Sequence, residues 1–599
     1  MHGMRYRWGL ADTDASLSPE PGLEPLVARV LSSRGYSLEE ARRFLAVSMQ
    51  DLEEPSRTPG IDRGAEMILE AATSGKKIVV YGDYDVDGTT SIAILIRTLV
   101  ILCPDVSIGW YVPHRLEEGY GLNASALREI RDGGADLVVS VDCGISAIDE
   151  AREARRLGLG LIITDHHNPR ADGLLPDAET IVHPRIAYED GSPPTCAPEP
   201  AGAGVAFKLA WQMCVRSAGS ERVGDVLQRH LLDMLALAAL GTIADVVPLT
   251  GENRVIARHG LRMLRQCEIT GVRALLEASG LNDDSISEEK VGFVLAPRIN
   301  ACGRMGHASE AVELLLTQDE SRAHQIARSM TSLNDERRAT EQGILKEAIA
   351  MGQEEGLHEP GVRGVVLARS NWHPGVIGIV CSRIVDLWHK PTILLQRGEH
   401  ECAGSGRSID GFSLSSALGE CDEYLLSHGG HDMAAGLRVA TDTLDRFRDA
   451  FMALAESRLD ESDLTPRLRV DCECSLQELT ISSGRQLARF APFGRQNTRP
   501  LVLLRGARLT RAPMVMGKGN NHLSLQVTSE RGGSLRLVGW RWGEHADDFH
   551  EGMELDVVLE PSLNSWRGRE SIEGVMRDAR VLTGDASAHV VTATSSIPS

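Results

Sequence analysis

Aromatic residues are scarce, 4% of 599 positions, and no CxxC pair occurs although eleven cysteines are scattered along the chain. Without paired spacing, and with an odd total, those cysteines do not read as a disulfide framework or a zinc knuckle, which fits a reducing cytoplasm. Nowhere do some eighteen apolar residues run uninterrupted, so no membrane span is expected. The opening "MHGMRYRWGLADTD" has basic residues but no apolar stretch behind them, so no export signal is read. Positive charge is also in deficit. A formal net charge of -21 excludes a surface coated with Lys and Arg and leaves only local binding of phosphate backbones. One stretch lacks the other sign: from Thr480 to Ser529 there is no Asp or Glu, while Arg485, Arg489, Arg495, Arg499, Arg505, Arg508, Arg511 and Lys518 are positive.

What is present is an ordinary globular balance, 42% apolar and 25% charged, over a length that calls for three to five domains. Residues 77–183 alternate apolar strands ("KIVVYG", "VSIGWYV", "DLVVSVD", "LGLIITD") with helical patterns, the signature of a parallel sheet with helices on its faces. Residues 308–355 read as long charged helices without Pro. A second mixed segment carries "RGVVLA", "GVIGIVCSRIVDLWH" and "PTILLQ", and short β-like runs follow from "RLRVDCEC" to "MELDVVLEP". The expected division is a helical segment over 1–60, an α/β domain over 61–250, connecting helices over 251–358, a second α/β domain over 359–460, a small β-barrel over 465–582 and a disordered tail over 583–599.

In an open parallel sheet, ligands bind beyond the carboxyl ends of the strands. This sequence places acids and histidines there repeatedly: Asp83 and Asp85 after "KIVVYG", Asp142 after "LVVSV", Asp165, His166 and His167 after "GLIIT", and Asp245 after an apolar helix in "GTIADVVP". Any one of them is an ordinary cap or turn residue. Together they would repel and raise one another's pKa unless cations sat among them. A mixed Asp/His set suits Mn²⁺, with Mg²⁺ as the alternative, in a two-metal site for phosphoryl displacement. The strand period of two points Asp83 and Asp85 the same way, and Asp87 is expected to cap the helix opening at Gly88.

In order and spacing, "DYDVDG", "VDCG", "TDHH" and "GTIADVVP" resemble the four motifs of the DHH phosphoesterase superfamily. "PHRLEEGYGLN", "APRINACGRMGHASEAVELLLT", "WHPGVIGIVCSRIVD", "GSGRSIDGF" and "SHGGHDMAAG" are similar to its single-strand-specific 5′-to-3′ DNA exonuclease branch, in which a DHHA1 domain and an OB-like barrel accompany the DHH domain. The resemblance implies metal ligation by Asp83, Asp85, Asp142, His166 and Asp245, with Asp142 bridging two Mn²⁺ or Mg²⁺ ions. It implies catalytic roles for His167, beside the metals, and for Asp165, which orients the histidine pair. Arg115, Arg304, Ser405 and Arg407 then hold the 5′-terminal phosphate, and His431 contacts substrate. Gly404 and Gly406 independently allow close approach of backbone N–H groups to an anion, and Arg407 offers a bidentate fork.

Arg495, Arg505, Arg508, Arg511 and Lys518 are the expected strand contacts of the barrel, with Phe490, Phe493, Trp540 and Trp542 as stacking candidates. "APFGRQNTRP" departs from the family pattern at Arg495, Gln496 and Thr498. The resemblance further implies hydrolysis of single-stranded DNA to 5′-mononucleotides in repair and recombination, a cytoplasmic monomer, and a single-strand binding protein and a RecQ-type helicase as partners. Two readings compete: an oligoribonuclease or nucleotide phosphatase of the same superfamily, which the basic barrel argues against, and a non-catalytic replication scaffold, which the filled ligand positions argue against. Inorganic pyrophosphatase would need a histidine at position 79, which is Val79.

Overall fold

Ile78–Gly82 forms a strand buried at every residue, as its unbroken apolar character demands of a strand covered on both faces. In this computed structural model, which describes residues 1–12, 22–115, 117–196, 199–281, 286–566 and 568–582, it lies inside a five-stranded parallel sheet. The expected tail over 583–599 falls outside the described residues. The spatial order is Ile108–Tyr111, Ile78–Gly82, Leu137–Val141, Gly160–Thr164, Thr180–Val182. The chain steps to one side of Ile78–Gly82 and then crosses to the other, so a switch point opens between Ile78–Gly82 and Leu137–Val141. Asp83 and Asp142 stand directly after those two strands.

Two apolar helices cover one face of the sheet, and a third packs on them. Val86–Leu102 is capped by Asp85, buried along most of its length, and stops at Cys103 before Pro104, whose ring disfavours a helical predecessor. Gly202–Ala218 and Asp225–Ala244 pack in the same core. Asp225–Ala244 is the one described helix long and apolar enough to cross a membrane, and 56% of its most apolar window is buried inside the fold. A 35-residue helix, Glu320–Glu354, about 50 Å long, leads to a second α/β sheet. That sheet runs Leu425–Gly430, Ala434–Ala440, Glu401–Arg407, Thr392–Arg397, Val365–Arg369 and is antiparallel except for its last pair.

The chain divides into two compact units, and the division departs from the expected one in two places: residues 1–46 join the barrel segment and residues 492–498 leave it. One unit is Val47–Leu464 with Pro492–Thr498. The other is Met1–Ala46, Thr465–Ala491 and the chain from Arg499 onward. The expected 1–60 helical segment is therefore split. Residues 7–10 form a strand in parallel register with Arg467–Val470, and Trp8 is buried with its Nε1 donating to Asp578 Oδ2 at 2.7 Å. Four residues with one apolar anchor carry no recognisable strand period, and their partner lies some 460 residues away. The barrel sheet has seven strands among the described residues, five of which close into a ring where Arg508 and Leu509 pair with Thr528 and Val527.

Candidate metal centre

The site is built from the turns after the strands. The strand ends at Gly82 and the helix begins at Val86, so the period of two does not continue past Asp83. The helix cap is Asp85, not Asp87: Asp85 Oδ1 accepts from the backbone N–H groups of Asp87 and Gly88 at 2.9 and 3.1 Å. Asp87 instead lies on the first helical turn, fully buried, and accepts from Gly202 N at 2.6 Å and Ala203 N at 2.8 Å, at the start of the next helix. Gly202 is required for this approach, because a Cβ there would come 2.7 Å from Asp142 Cβ. Asp142 has φ +58°, a left-handed conformation that few non-glycine residues hold without compensation.

Four segments converge. His166 Nε2 lies 3.1 Å from Asp142 Oδ1, 3.7 Å from Asp245 Oδ2 and 3.8 Å from Asp87 Oδ2. Asp87, His166 and Asp245 form one group with metal-ligand spacing, and Asp142, Asp165, His166 and His167 form another. Asp83 Oδ1, Asp142 Oδ1 and His166 Nε2 are buried with no hydrogen-bond partner among the described residues. Buried donors and acceptors are almost always paired, so the Asp142 and His166 orphans, 3.1 Å apart and with the charge of Asp83 acting on Asp142, fit a cation among them. Burial and the neighbouring acids push Asp83 and Asp142 well above the usual carboxylate range, Asp87 up to about 7 and Asp245 up to about 8. Burial, with the charge of His167, takes His166 down to about 3, the neutral form a ligand needs.

Asp165 is fully engaged, which fits orientation rather than ligation. Its Oδ1 accepts from the N–H groups of His166 and His167 and contacts His167 Nδ1 at 2.7 Å, and Oδ2 accepts from Ile145 N. Burial opposes charge on His167, yet the bond to Asp165 raises it to about 9. Sequence reasoning misses two residues here. Asp87 reads there as no more than a cap. Tyr120, in "EEGYGLN", donates its hydroxyl to Asp142 O at 2.9 Å and lies 3.2 Å from His167 Nδ1; a lone Tyr in a glycine-flanked loop gives no local signal.

The expected phosphate residues also meet. Burial, with repulsion from Arg115, Arg337 and Arg407, pushes Arg304 down to about 10. Burial likewise lowers Arg407, whose Nη1 donates to Ser405 Oγ at 3.1 Å. Arg115 lies over the Tyr84 ring at 4.7 Å. Clustered guanidiniums repel one another, a repulsion that an anion among them would relieve. His431 is exposed in the turn joining Leu425–Gly430 to Ala434–Ala440, at the sheet end where Ala434 pairs with Arg407.

The barrel residues divide. Arg505 pairs with Glu473 and Asp556, and Arg508 with Glu554, acids supplied by other strands. Arg511 and Lys518 are exposed and have no ion pair among the described residues. Phe490 and Trp542 are core residues, whereas Trp540 is 55% exposed. Arg495 is not in the barrel unit at all. Its carbonyl accepts from Leu249 N at 2.9 Å, and its charge acts on Asp245. The turn that carries it has Gln496 at φ +58°, in the left-handed region.

The DHH family N-terminal domain matches residues 77–239, the DHHA1 domain 361–457 and the RecJ OB domain 470–578. The chain is 38% identical over 591 residues to the single-stranded-DNA-specific exonuclease RecJ of Bacillus subtilis (strain 168), covering 97% of this chain and 72% of that one. The chain belongs to the RecJ family. The RecJ of Escherichia coli (strain K12) is 33% identical over 94% of this chain and 96% of its own. A crystal structure of RecJ in complex with Mn²⁺ from Thermus thermophilus superposes with a TM-score of 0.79 at 30% identity, covering 97% of this chain and 80% of that one. The expected RecJ architecture, an α/β DHH domain with a parallel sheet, a DHHA1 domain and an OB barrel, is the one observed.

Proposed function

We propose that this RecJ-family chain is a divalent-metal-dependent exonuclease that degrades single-stranded DNA from its 5′ end to 5′-mononucleotides, in DNA repair and recombination. The observation that carries the reading is the pairing of three orphaned buried ligand atoms with a separate buried guanidinium cluster. Asp83, Asp85, Asp142, His166 and Asp245 would hold two Mn²⁺ or Mg²⁺ ions, and the position of Asp87 against His166 adds it to the set. When bound, the metals lower the pKa of a water and neutralise charge on the scissile phosphate. The chain's own residues do the rest. Arg115, Arg304, Ser405 and Arg407 hold the terminal 5′-phosphate, with His431 at the edge of that site, and so fix which phosphodiester lies at the acids. Asp165 keeps a proton on His167, and that proton goes to the 3′-oxygen that leaves phosphorus as water adds.

Arg511, Lys518 and Trp540 are the barrel's candidates for capturing the strand. Kinship with the family supports a monomer with a single-strand binding protein and a RecQ-type helicase as partners. Eleven unpaired cysteines support a cytoplasmic location. The test is a 5′-labelled and a 3′-labelled single strand, a duplex and a short oligoribonucleotide, each with Mn²⁺. Early release of mononucleotide from the 5′ end of single-stranded DNA alone is expected; dominant cleavage of the oligoribonucleotide would favour the competing oligoribonuclease.

A further inference from the structure

The turn Pro492–Thr498 belongs to the nuclease unit, although the chain on both sides of it belongs to the barrel unit. Its backbone is tied down throughout. Gly494 and Asn497 exchange main-chain hydrogen bonds at 3.0 and 3.1 Å, the buried Asn497 side chain donates to Pro492 O at 2.7 Å, and Phe493 N donates to Glu288 Oε1 at 3.1 Å. Leu249 N donates to Arg495 O, and Gly494 lies so close to Leu249 that a Cβ there would meet its side chain at 2.7 Å. A turn held in this way fixes the place of the charge it carries.

That charge stands beside the acids. Arg495 lines one cleft of about 440 Å³ together with Ala244 and Val246, the chain neighbours of Asp245. Burial, Asp87 and Asp85 favour the protonated form of Asp245, while His167 and Arg495 favour its charge. Of those two cations, His167 is already matched by its bond to Asp165. Arg495 has no ion pair among the described residues. A fixed guanidinium in this position acts in two directions: without metal it offsets part of the repulsion among the acids, and with metal it repels the doubly charged ion. It is also one of the positions at which the sequence departs from the family pattern.

We infer that Arg495 is a tethered counter-cation of the metal centre, which weakens divalent-ion binding on the Asp245 side and stabilises the centre when it holds no ion. The inference rests on the metal-centre reading and not on which nucleic acid is cut. Arg495 forms no bond to an ion; it acts through its field at Asp245. The metal requirement of this chain is therefore higher than its acids alone would set.

The test is equilibrium Mn²⁺ binding to the full chain without DNA, read from the electron paramagnetic resonance signal of the free ion. Affinity is expected to rise about threefold in Arg495→Gln and about tenfold in Arg495→Glu, modest factors because the residue is exposed and partly screened. Arg495→Lys should keep the wild-type value. Mg²⁺ competing with Mn²⁺ should gain by the same factors, since repulsion reads charge and not ligand chemistry. In about 1 M salt, where the Debye length falls to about 3 Å, the gains should shrink toward none.

Melting in chelator supplies a second readout. Arg495→Glu should melt lowest and Arg495→Lys with wild type, and saturating Mn²⁺ should narrow the gap. Equal Mn²⁺ affinity across the series would overturn the inference and leave the metal centre standing. So would an Arg495→Lys value that moves with Arg495→Gln, which reports shape and not charge, or a changed KM for single-stranded DNA at unchanged Mn²⁺ affinity, which makes Arg495 a strand contact. If neither wild type nor any variant binds Mn²⁺, the metal-centre reading falls and the inference falls with it.

Discussion

Asp142 is held in a left-handed backbone, against an orphaned His166 nitrogen and within reach of the other acids, and each of these costs stability when no cation is bound. Asp142→Asn keeps the shape, tolerates φ > 0 and removes the charge. It should lower the rate by roughly 10²-fold or more while the metal-free protein melts no lower than wild type. A thermal melt and a rate on one preparation check both halves. Asp165→Asn tests the proton. His167 stays protonated up to about 9 because of its bond to Asp165, so without that carboxylate its pKa falls. The alkaline limb of the pH–rate profile should then move to lower pH, and an unmoved limb would remove His167 from proton transfer.

At the scale of elements, the start of Gly202–Ala218 is pressed against the acids. Gly202→Ala places a methyl 2.7 Å from Asp142 Cβ. It should cost roughly 1–3 kcal/mol and impair metal-dependent activity together with stability, as read by denaturant unfolding and rate. The strand rims themselves were legible in sequence, because an apolar run followed by an acid is a local pattern, and Asp83, Asp142, His166 and Asp245 stand where that pattern put them. Asp87 was not legible. Its role depends on the helix beginning at Val86 and on the backbone N–H groups of Gly202 and Ala203, over a hundred residues away. The ion pairing of Arg505 was not legible either: its stretch has no acids, but the barrel pairs it with Glu473 and Asp556.

For the whole molecule, the acidic centre sets a pH dependence. Unfolded aspartates lose their protons near 3.8, whereas Asp87 and Asp245 keep theirs to about 7 and about 8 when folded without metal. The unfolded chain therefore binds fewer protons between those limits, and stability falls as pH rises through that window, by about 1.4 kcal/mol per pH unit for each retained proton. Melting in chelator from pH 5 to 8.5 should show the decline, and Mn²⁺ should flatten it. In the barrel, Arg511→Glu and Lys518→Glu should weaken binding to long single strands and reduce the salt slope by about one each. Arg505→Glu should lower barrel stability instead, leaving Glu473 and Asp556 facing a third acid.

The strand Arg7–Leu10 pairs with Arg467–Val470, and Trp8 anchors on Asp578. On the ribosome this means waiting. At typical elongation rates the strand emerges some tens of seconds before its partner exists, while the nuclease sheet at residues 78–182 is complete much earlier. The nuclease sheet is thus complete long before Arg7–Leu10 is paired, and until then that strand is an open edge bearing a tryptophan, a surface for chaperones to cover.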